Sequence, residues 1–85
     1  MFYVYILKSK GDGKLYIGFT EDLRRRLTEH NEGNSIATKS RGPFELIYYE
    51  AYKSQTDARK RENKLKLFKN TYTRLKQRLQ ESLQT

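Results

Sequence analysis

Hydrophobic and polar residues follow two different rhythms along this chain, and the changes of rhythm mark its elements. Residues 2–8 and 15–19 are nearly continuous runs of aromatic and aliphatic residues. The short segment between them contains Gly11 and Gly13, which suit a tight reversal of the backbone. The pattern predicts a β-hairpin whose strands cover 2–8 and 15–19.

A helical rhythm follows the hairpin at 22–32. Leu23 and Leu27 recur at the spacing that places them on one face of a helix, where they would pack on the sheet. Thr20 and Asp22 both suit the N-cap position, because short polar side chains accept hydrogen bonds from the first free amides of a helix. The sequence predicts the helix and leaves the choice of cap open.

The three consecutive arginines of this helix point in different directions. At roughly 100° per residue, Arg26 and also His30, one turn later, project within about 60° of the leucine stripe. Arg24 and Arg25 point away from it. We expect Arg26 and His30 to lie at the edge of the core, next to the sheet.

The rest of the chain completes an α+β fold. Residues 44–52 are apolar on both faces, which is typical of a central strand. Residues 55–68 and 71–83 have helical spacing, with candidate N-caps at Ser54, Thr56, Asn70 and Thr71. The predicted architecture is a small three-stranded antiparallel sheet flanked by about three helices, in a single domain covering 1–85.

Glu62 is the one carboxylate on the apolar face of the second predicted helix, the face that Ala58 and Leu65 define. Burying an unpaired carboxylate is costly, so a cation or a hydrogen-bond donor has to meet it. Two interpretations stay open. Glu62 turns outward to pair with Lys66 one turn later, or it binds a divalent metal ion.

The charge of the chain is strongly positive and concentrated in one segment. The formal net charge is +8. Residues 1–52 carry eight Lys/Arg and seven Asp/Glu, whereas residues 53–78 carry ten and two. Such a basic surface suits a polyanion, with nucleic acid first and an anionic membrane second. A solvated helical face that keeps a small protein soluble is an equally good interpretation of the charge.

Composition removes several classes of protein. The chain has no Cys, which excludes disulfides and thiolate zinc sites. No run approaches the roughly 20 apolar residues that span a bilayer, and the residues after Met1 lack the pattern of a secretory signal. We expect a cytoplasmic protein without a membrane partner.

Several of these residues together resemble the GIY-YIG nuclease family, specifically small single-domain members akin to the N-terminal nuclease domain of the excinuclease C protein. Tyr3-Val4-Tyr5 resembles the first motif, with Val in place of the usual Ile and without its glycine, and Tyr16-Ile17-Gly18 is the second motif intact. Arg26 follows ten residues after the tyrosine of the second motif, as in the family. The resemblance covers essentially residues 2–70.

The resemblance implies hydrolysis of DNA phosphodiester bonds with one divalent metal ion, Mg²⁺ or Mn²⁺. Glu62 would hold the metal, and Arg26 would contact the scissile phosphate through its planar fork of donors. Tyr5 and Tyr16 would contact or deprotonate the attacking water, and His30 is the other candidate for proton transfer. Which of them is the base stays open.

Two further positions have expected roles. Gly18 is expected to be structural, because it lets the backbone turn closely toward the helix. Family nucleases often carry an Asn on the helix after the glutamate, and Asn70 or Gln77 would have to take its place here.

Basic residues outside the site are expected to contact the DNA backbone, which positions a nucleic acid without reading its sequence. They are Lys39, Arg41, Lys64, Lys66, Lys69, Arg74, Lys76 and Arg78. Duplex or branched DNA is the expected partner, with specificity for DNA structure or supplied by a partner protein. Two other hypotheses compete: a nucleic-acid-binding module without turnover, and an RNA-directed or membrane-surface protein.

Overall fold

The computed structural model describes residues 1–32 and 43–84, and it confirms the α+β fold. Its elements are β1 (Phe2–Ser9), β2 (Leu15–Thr20), α1 (Leu23–Asn31), β3 (Phe44–Tyr52), α2 (Gln55–Leu67), α3 (Lys69–Arg78) and α4 (Gln80–Gln84). Lys39 and Arg41, predicted to contact DNA, lie outside the described residues. No helix within the described ranges is long and apolar enough to cross a membrane.

The strands form one antiparallel sheet in the order β2-β1-β3, so the central strand is β1. The prediction of a central β3 is wrong. The four consecutive residues 4–7 of β1 are buried, whereas Tyr49 of β3 is 52 % exposed. Apolar residues occur on both faces of β3 although it is an edge strand, because the side chains that point to a given face of the sheet change from one set to the other along its length.

A β-bulge causes that change of face. Ile6 lies opposite Tyr48 and Leu7 lies opposite Leu46, so β3 contains one residue, Ile47, that β1 does not match. Since side chains alternate along a strand, one extra residue moves those beyond it to the other face. Leu46 therefore packs with the cluster of Leu7, and Tyr48 packs with the cluster of Ile6.

The sheet separates two clusters of buried side chains. The cluster against α2 and α3 contains Val4, Ile6, Ala58, Leu65 and Leu75. The cluster against α1 contains Tyr5, Leu7 and Phe44, packed with Leu23 and Leu27. The helices α1 and α2 therefore cover opposite faces of the sheet, which we refer to as the α1 face and the α2 face.

Side-chain caps fix the starts of α1 and α2. Asp22 Oδ1 accepts a hydrogen bond of 3.0 Å from the amide of Arg25, and Ser54 Oγ accepts one of 3.3 Å from the amide of Asp57. Thr20 Oγ1 accepts from the amide of Asp22 at 3.1 Å. Asp22 is thus the cap of α1, and Thr20 orders the turn before it.

The third predicted helix, 71–83, is wrong in its start. The helix begins at Lys69, and its N-cap is Phe68, which makes no side-chain capping hydrogen bond. Asn70 and Thr71, the expected caps, lie inside the first turn. The chain changes direction between α2 and α3 through Phe68 alone, which is in extended conformation. The third helix therefore begins earlier than predicted.

The prediction of one continuous helix over 71–83 is also wrong, because the helix is interrupted at Leu79. The amide of Leu79 donates to the carbonyl of Lys76, three residues back, instead of four. The short helix α4 follows, and Lys8 Nζ of β1 donates a hydrogen bond of 2.5 Å to the carbonyl of Leu83. No Gly or Pro marks the interruption in the sequence.

Candidate active site

Tyr5 lies in the central strand with its ring over Gly18. The two residues are cross-strand partners, and Tyr5 is 2 % exposed. A β-carbon at position 18 would lie 2.6 Å from Cε2 of Tyr5, and nearer still to its Cζ and hydroxyl oxygen. Glycine at this position therefore gives the phenol of Tyr5 the space it occupies.

His30 brings the two tyrosines of the family motifs together. Tyr5 Oη is 2.9 Å from His30 Nε2. The imidazole centroid lies 5.9 Å from the ring centroid of Tyr5 and 5.0 Å from that of Tyr16, with the Tyr16 contact edge to face. The tyrosine ring centroids are 6.5 Å apart. Three of the residues predicted to share a site are thus in mutual contact on the α1 face.

Burial keeps both members of the Tyr5–His30 pair uncharged near pH 7. Desolvation raises the pKa of Tyr5 to about 12, against the opposing influence of the Arg26 guanidinium. Desolvation, helped by the positive charge of Arg26, lowers the pKa of His30, although Glu29 acts in the opposite direction. The resting pair is therefore a protonated phenol beside a neutral imidazole.

Arg26 lies beside this pair, half-buried, while Arg24 and Arg25 are exposed, as their helical projection predicted. Its Nη1 donates to Glu29 Oε1 at 3.1 Å. Desolvation would lower the pKa of Arg26, but hydrogen bonds to Tyr5 and Glu29 outweigh it and raise the pKa. The guanidinium is therefore a permanent cation next to the phenol.

An open cleft of about 430 Å³ lies where the C-terminal end of β2 meets α1 and α2. Its lining residues are Phe19, Thr20, Glu21, Arg25, Arg26, Glu29, Gln55 and Arg59. Arg26 from α1 and Arg59 from α2 thus reach the same space from two sides of the sheet. Guanidinium groups suit the bidentate recognition of phosphate.

Glu62 approaches this region from the α2 face and is only 7 % exposed. Its two oxygens accept hydrogen bonds from Arg59 Nη1 at 3.2 Å and from Lys66 Nζ at 2.9 Å. The pairing with Lys66 matches one of the two interpretations, except that the carboxylate stays buried. Its negative charge is one of the causes that raise the pKa of Tyr5, and Arg59 links it to the cleft.

The Glu62 carboxylate fits a divalent cation held by one protein ligand. Carboxylate oxygens are hard donors, and Mg²⁺ commonly binds one or two carboxylates while keeping several waters. The side chains of Arg59 and Lys66 are 54 % and 44 % exposed, so both have room to turn into solvent. Among the described residues, no group of three or more His, Cys, Asp or Glu side chains forms a larger metal site.

The other predicted positions lie on α2 and α3. The exposed basic residues are Lys64, Lys66, Lys69, Arg74 and Arg78. Lys66 is engaged with Glu62, and Lys76 Nζ lies 4.6 Å from the ring centroid of Tyr72. Arg74 and Arg78 line a cavity of about 190 Å³. Asn70 and Gln77, the candidate replacements for the family Asn, are both exposed.

Sequence reasoning missed two charged residues of the site, Glu29 and Arg59. Glu29 follows Arg26 by three residues, and Arg59 precedes Glu62 by three. Opposite charges at this spacing meet on a helix, so the sequence contained a signal for both pairs. Arg59 also covers the ring of Phe19, with its guanidinium carbon 3.8 Å from the centroid.

Asn31, also missed, fixes the end of α1 that carries His30. Its Oδ1 accepts from the amide of Phe44 at 2.6 Å, and its Nδ2 donates to the carbonyl of the same residue at 3.2 Å. These bonds join the end of α1 to the start of β3. The sequence holds no local signal for them, because the partner is a backbone group 13 residues away.

The chain matches a known protein family. A family model described as the GIY-YIG catalytic domain matches residues 1–78. The matched range includes both tyrosine motifs together with Arg26, His30 and Glu62. The chain belongs to the GIY-YIG family, which confirms the resemblance drawn from its sequence.

Within that family the chain is similar to proteins named UPF0213. One from Staphylococcus saprophyticus is 42 % identical over 67 residues, which cover 78 % of this chain and 80 % of that protein. One from Staphylococcus epidermidis is 44 % identical over 73 residues, covering 85 % and 83 %. A solution NMR structure of a UPF0213 protein from Bacillus halodurans has 38 % identity and a TM-score of 0.54, and covers 88 % of this chain and 82 % of that one.

Proposed function

We propose that this protein is a divalent-metal-dependent endonuclease that hydrolyses DNA phosphodiester bonds, directed by DNA structure or with weak sequence specificity. The observation that carries the proposal is the buried contact of 2.9 Å between Tyr5 Oη and His30 Nε2, with the Arg26 guanidinium beside it. A protonated phenol hydrogen-bonded to a neutral imidazole is equipped to pass a proton.

Tyr5 and His30 would move the proton of the attacking water. Burial raises the pKa of Tyr5 to about 12, which favours the protonated phenol at pH 7. The hydroxyl would donate its proton to His30 Nε2 as it accepts one from water. His30 is suited to this role because its lowered pKa leaves the imidazole neutral. Tyr16 would orient the imidazole through its edge contact.

Arg26 would hold the scissile phosphate. Its Nη1 is already fixed by Glu29, which limits the orientations that the guanidinium explores. A positioned planar donor stabilises charge that develops on phosphoryl oxygens more effectively than a mobile ammonium does. Arg59, on the other wall of the cleft, would contact a neighbouring phosphate.

Glu62 would hold the metal ion, Mg²⁺ or Mn²⁺, with waters as its remaining ligands. When bound, such an ion neutralises charge on phosphoryl oxygens. When no metal ion is bound, Arg59 and Lys66 donate hydrogen bonds to the Glu62 carboxylate. Glu62 would thus present a buried carboxylate at the place where a cation is taken up.

Incubation of the purified protein with end-labelled single-stranded, duplex and branched DNA, with Mg²⁺ or Mn²⁺, tests the proposal. We expect one of these substrates to be cut, and we expect Arg26→Ala and Glu62→Ala to slow cutting by about 100-fold or more. Arg24→Ala is the matched control, since Arg24 is exposed on the same helix, and it should cut within about twofold of the unchanged protein. Equal cutting by all variants, or no cutting at all, would contradict the proposal.

A nucleic-acid-binding module without turnover is the second candidate function, favoured by the two ion pairs that already neutralise Glu62. It predicts salt-dependent binding of DNA that needs no metal and survives Glu62→Ala. Binding in the presence of a chelator, measured beside the cutting assay, separates the two functions.

The proposed setting is DNA repair or recombination in the cytoplasm. The basic side chains of α2 and α3 would bind phosphates on either side of the cut, which gives affinity without sequence readout. The choice of substrate would then come from DNA structure or from a partner protein.

A further inference from the structure

Within residues 1–32 and 43–84, no helix packs over one end of the α1 face, and aromatic side chains lie there. The helix α1 packs over the end that carries Phe44, through His30 and Asn31. At the other end Tyr49 is 52 % exposed, and Ala51 is exposed as well. Exposed tyrosines in a sheet ordinarily occur one at a time. Whether Tyr49 belongs to a larger aromatic surface therefore depends on its neighbours.

Tyr49 has an aromatic partner on the same face. Tyr3 lies in β1 two residues before Tyr5, so both point to the α1 face. The ring centroids of Tyr3 and Tyr49 are 5.8 Å apart, and the rings meet edge to face at 71°. This contact holds Tyr49 in place while half of its surface stays in solvent. We refer to Tyr3 and Tyr49 as the tyrosine platform.

The tyrosine platform is continuous with the candidate active site. Tyr49 is the cross-strand partner of Tyr5, and directly opposed residues lie about 5 Å apart on the same face. Tyr3 is the cross-strand partner of Thr20, which lines the open cleft of Arg26 and Arg59. We refer to this cleft as the arginine cleft. A strand of DNA whose phosphate rests at Arg26 would therefore have its bases beside the platform.

We infer that the tyrosine platform stacks one unpaired nucleobase next to the phosphate that is cut, so the substrate is DNA that is single-stranded at the site. The inference rests on the proposed nuclease function. A base inside a duplex cannot offer its flat face to a side chain, whereas an unpaired base stacks readily on tyrosine. The guanidinium groups of Arg26 and Arg59 in the arginine cleft supply the complementary attraction for the backbone of the same strand.

Binding measured by fluorescence anisotropy tests the inference. The probe is a labelled single-stranded DNA roughly 12 nucleotides long, in buffer that contains EDTA so that nothing is cut. Tyr49→Leu keeps an apolar side chain but removes the ring, and we expect its Kd to rise about tenfold. Tyr49→Phe keeps the ring and should bind within about twofold of the unchanged protein.

Phe68→Leu is the matched control, because Phe68 is an exposed aromatic residue, 58 % exposed, at the junction of α2 and α3. It should leave the Kd unchanged. A fully paired duplex of the same sequence should lose little affinity in Tyr49→Leu. Unchanged binding of the single strand by Tyr49→Leu, equal loss in Tyr49→Phe, or equal loss with the duplex would each overturn the inference.

The failure of this inference is distinguishable from failure of the proposed function. The anisotropy assay measures binding alone. If the protein cuts DNA and Tyr49→Leu leaves binding unchanged, only the inference about the tyrosine platform fails. If the protein binds single strands through Tyr49 but cuts no DNA, the endonuclease proposal fails and the result supports the binding module without turnover.

Discussion

The two faces of the sheet each bury a polar cluster, and the clusters are built on opposite principles. On the α2 face Glu50 accepts hydrogen bonds from Tyr48 at 2.6 Å, from Tyr52 at 2.5 Å and from two nitrogens of Arg61 at 2.9 and 3.0 Å. Each oxygen of the carboxylate is satisfied and its charge is neutralised. On the α1 face, Tyr5 and His30 meet without a carboxylate between them.

The difference shows in the ionisation of the two clusters. Desolvation alone would raise the pKa of Glu50, but hydrogen bonds from Arg61 and the two tyrosines outweigh it and lower the pKa. In the Tyr5–His30 pair desolvation prevails, so both groups stay neutral. The Glu50 cluster stabilises a charged state and joins α2 to β3, whereas the Tyr5–His30 pair preserves groups able to exchange a proton.

Gly18→Ala should be the substitution that disrupts the α1 face most. The new β-carbon would overlap the Tyr5 phenol, and the ring would have to leave His30. We expect a loss of cutting of about 100-fold, because a displacement of the order of 1 Å at a reacting group has that effect. Overpacking should also lower the free energy of unfolding by about 1–3 kcal/mol. Cutting rates and denaturant unfolding measure the two effects.

Gly13→Ala is the control for this change. Gly13 has a φ of 73° and open space around its missing β-carbon. Alanine there should cost about 1–2 kcal/mol of stability through backbone strain and leave the cutting rate of the folded protein unchanged. If Gly18→Ala behaves as Gly13→Ala does, the placement of the Tyr5 phenol has no part in cutting.

Local rules recovered most of the fold. The strands predicted at 2–8, 15–19 and 44–52 are within one residue of β1, β2 and β3. The predicted helix at 22–32 and the one at 55–68 are also within one residue of α1 and α2. These elements follow from side-chain periodicity and from caps, which depend on neighbours along the chain.

What the sequence could not supply depends on contacts between distant segments. The order of the strands and the bulge at Ile47 result from pairing between β1 and β3, and no residue type indicates either. Helical projection could predict that Arg26 and His30 lie next to the sheet, because their positions relative to the leucine stripe depend on one helix alone. The relation of Glu62 to the tyrosines was harder to predict, since it depends on which face of the sheet α2 covers.

Glu50→Gln should damage the α2 face and spare the α1 face. The amide cannot compensate the charge of Arg61, whose side chain is 26 % exposed, so we expect the free energy of unfolding to fall by about 1–3 kcal/mol. Cutting should persist under conditions where the variant is folded. Denaturant unfolding beside a cutting assay measures both.

Glu45→Gln is the matched control in the same strand. Glu45 pairs with Lys10 at 3.9 Å, and both side chains are well exposed, so its loss should cost less than about 0.5 kcal/mol. Equal destabilisation by the two variants would show that the Glu50 cluster adds nothing beyond a surface ion pair.

The smallest expected effect is the pH dependence that His30 gives to stability. The pKa of His30 is lowered in the folded protein, so the unfolded chain binds a proton first as the pH falls below about 6.5. Stability is therefore complete above that pH and declines below it, by at most about 1.4 kcal/mol per pH unit. His30 is the only histidine of the chain, which makes the assignment direct. Unfolding measured from pH 7.5 to 5.5 should show this decline, and His30→Gln should reduce it. A decline that is as steep in His30→Gln would mean that the imidazole is not held neutral by burial, and the comparison between the two faces would lose its basis.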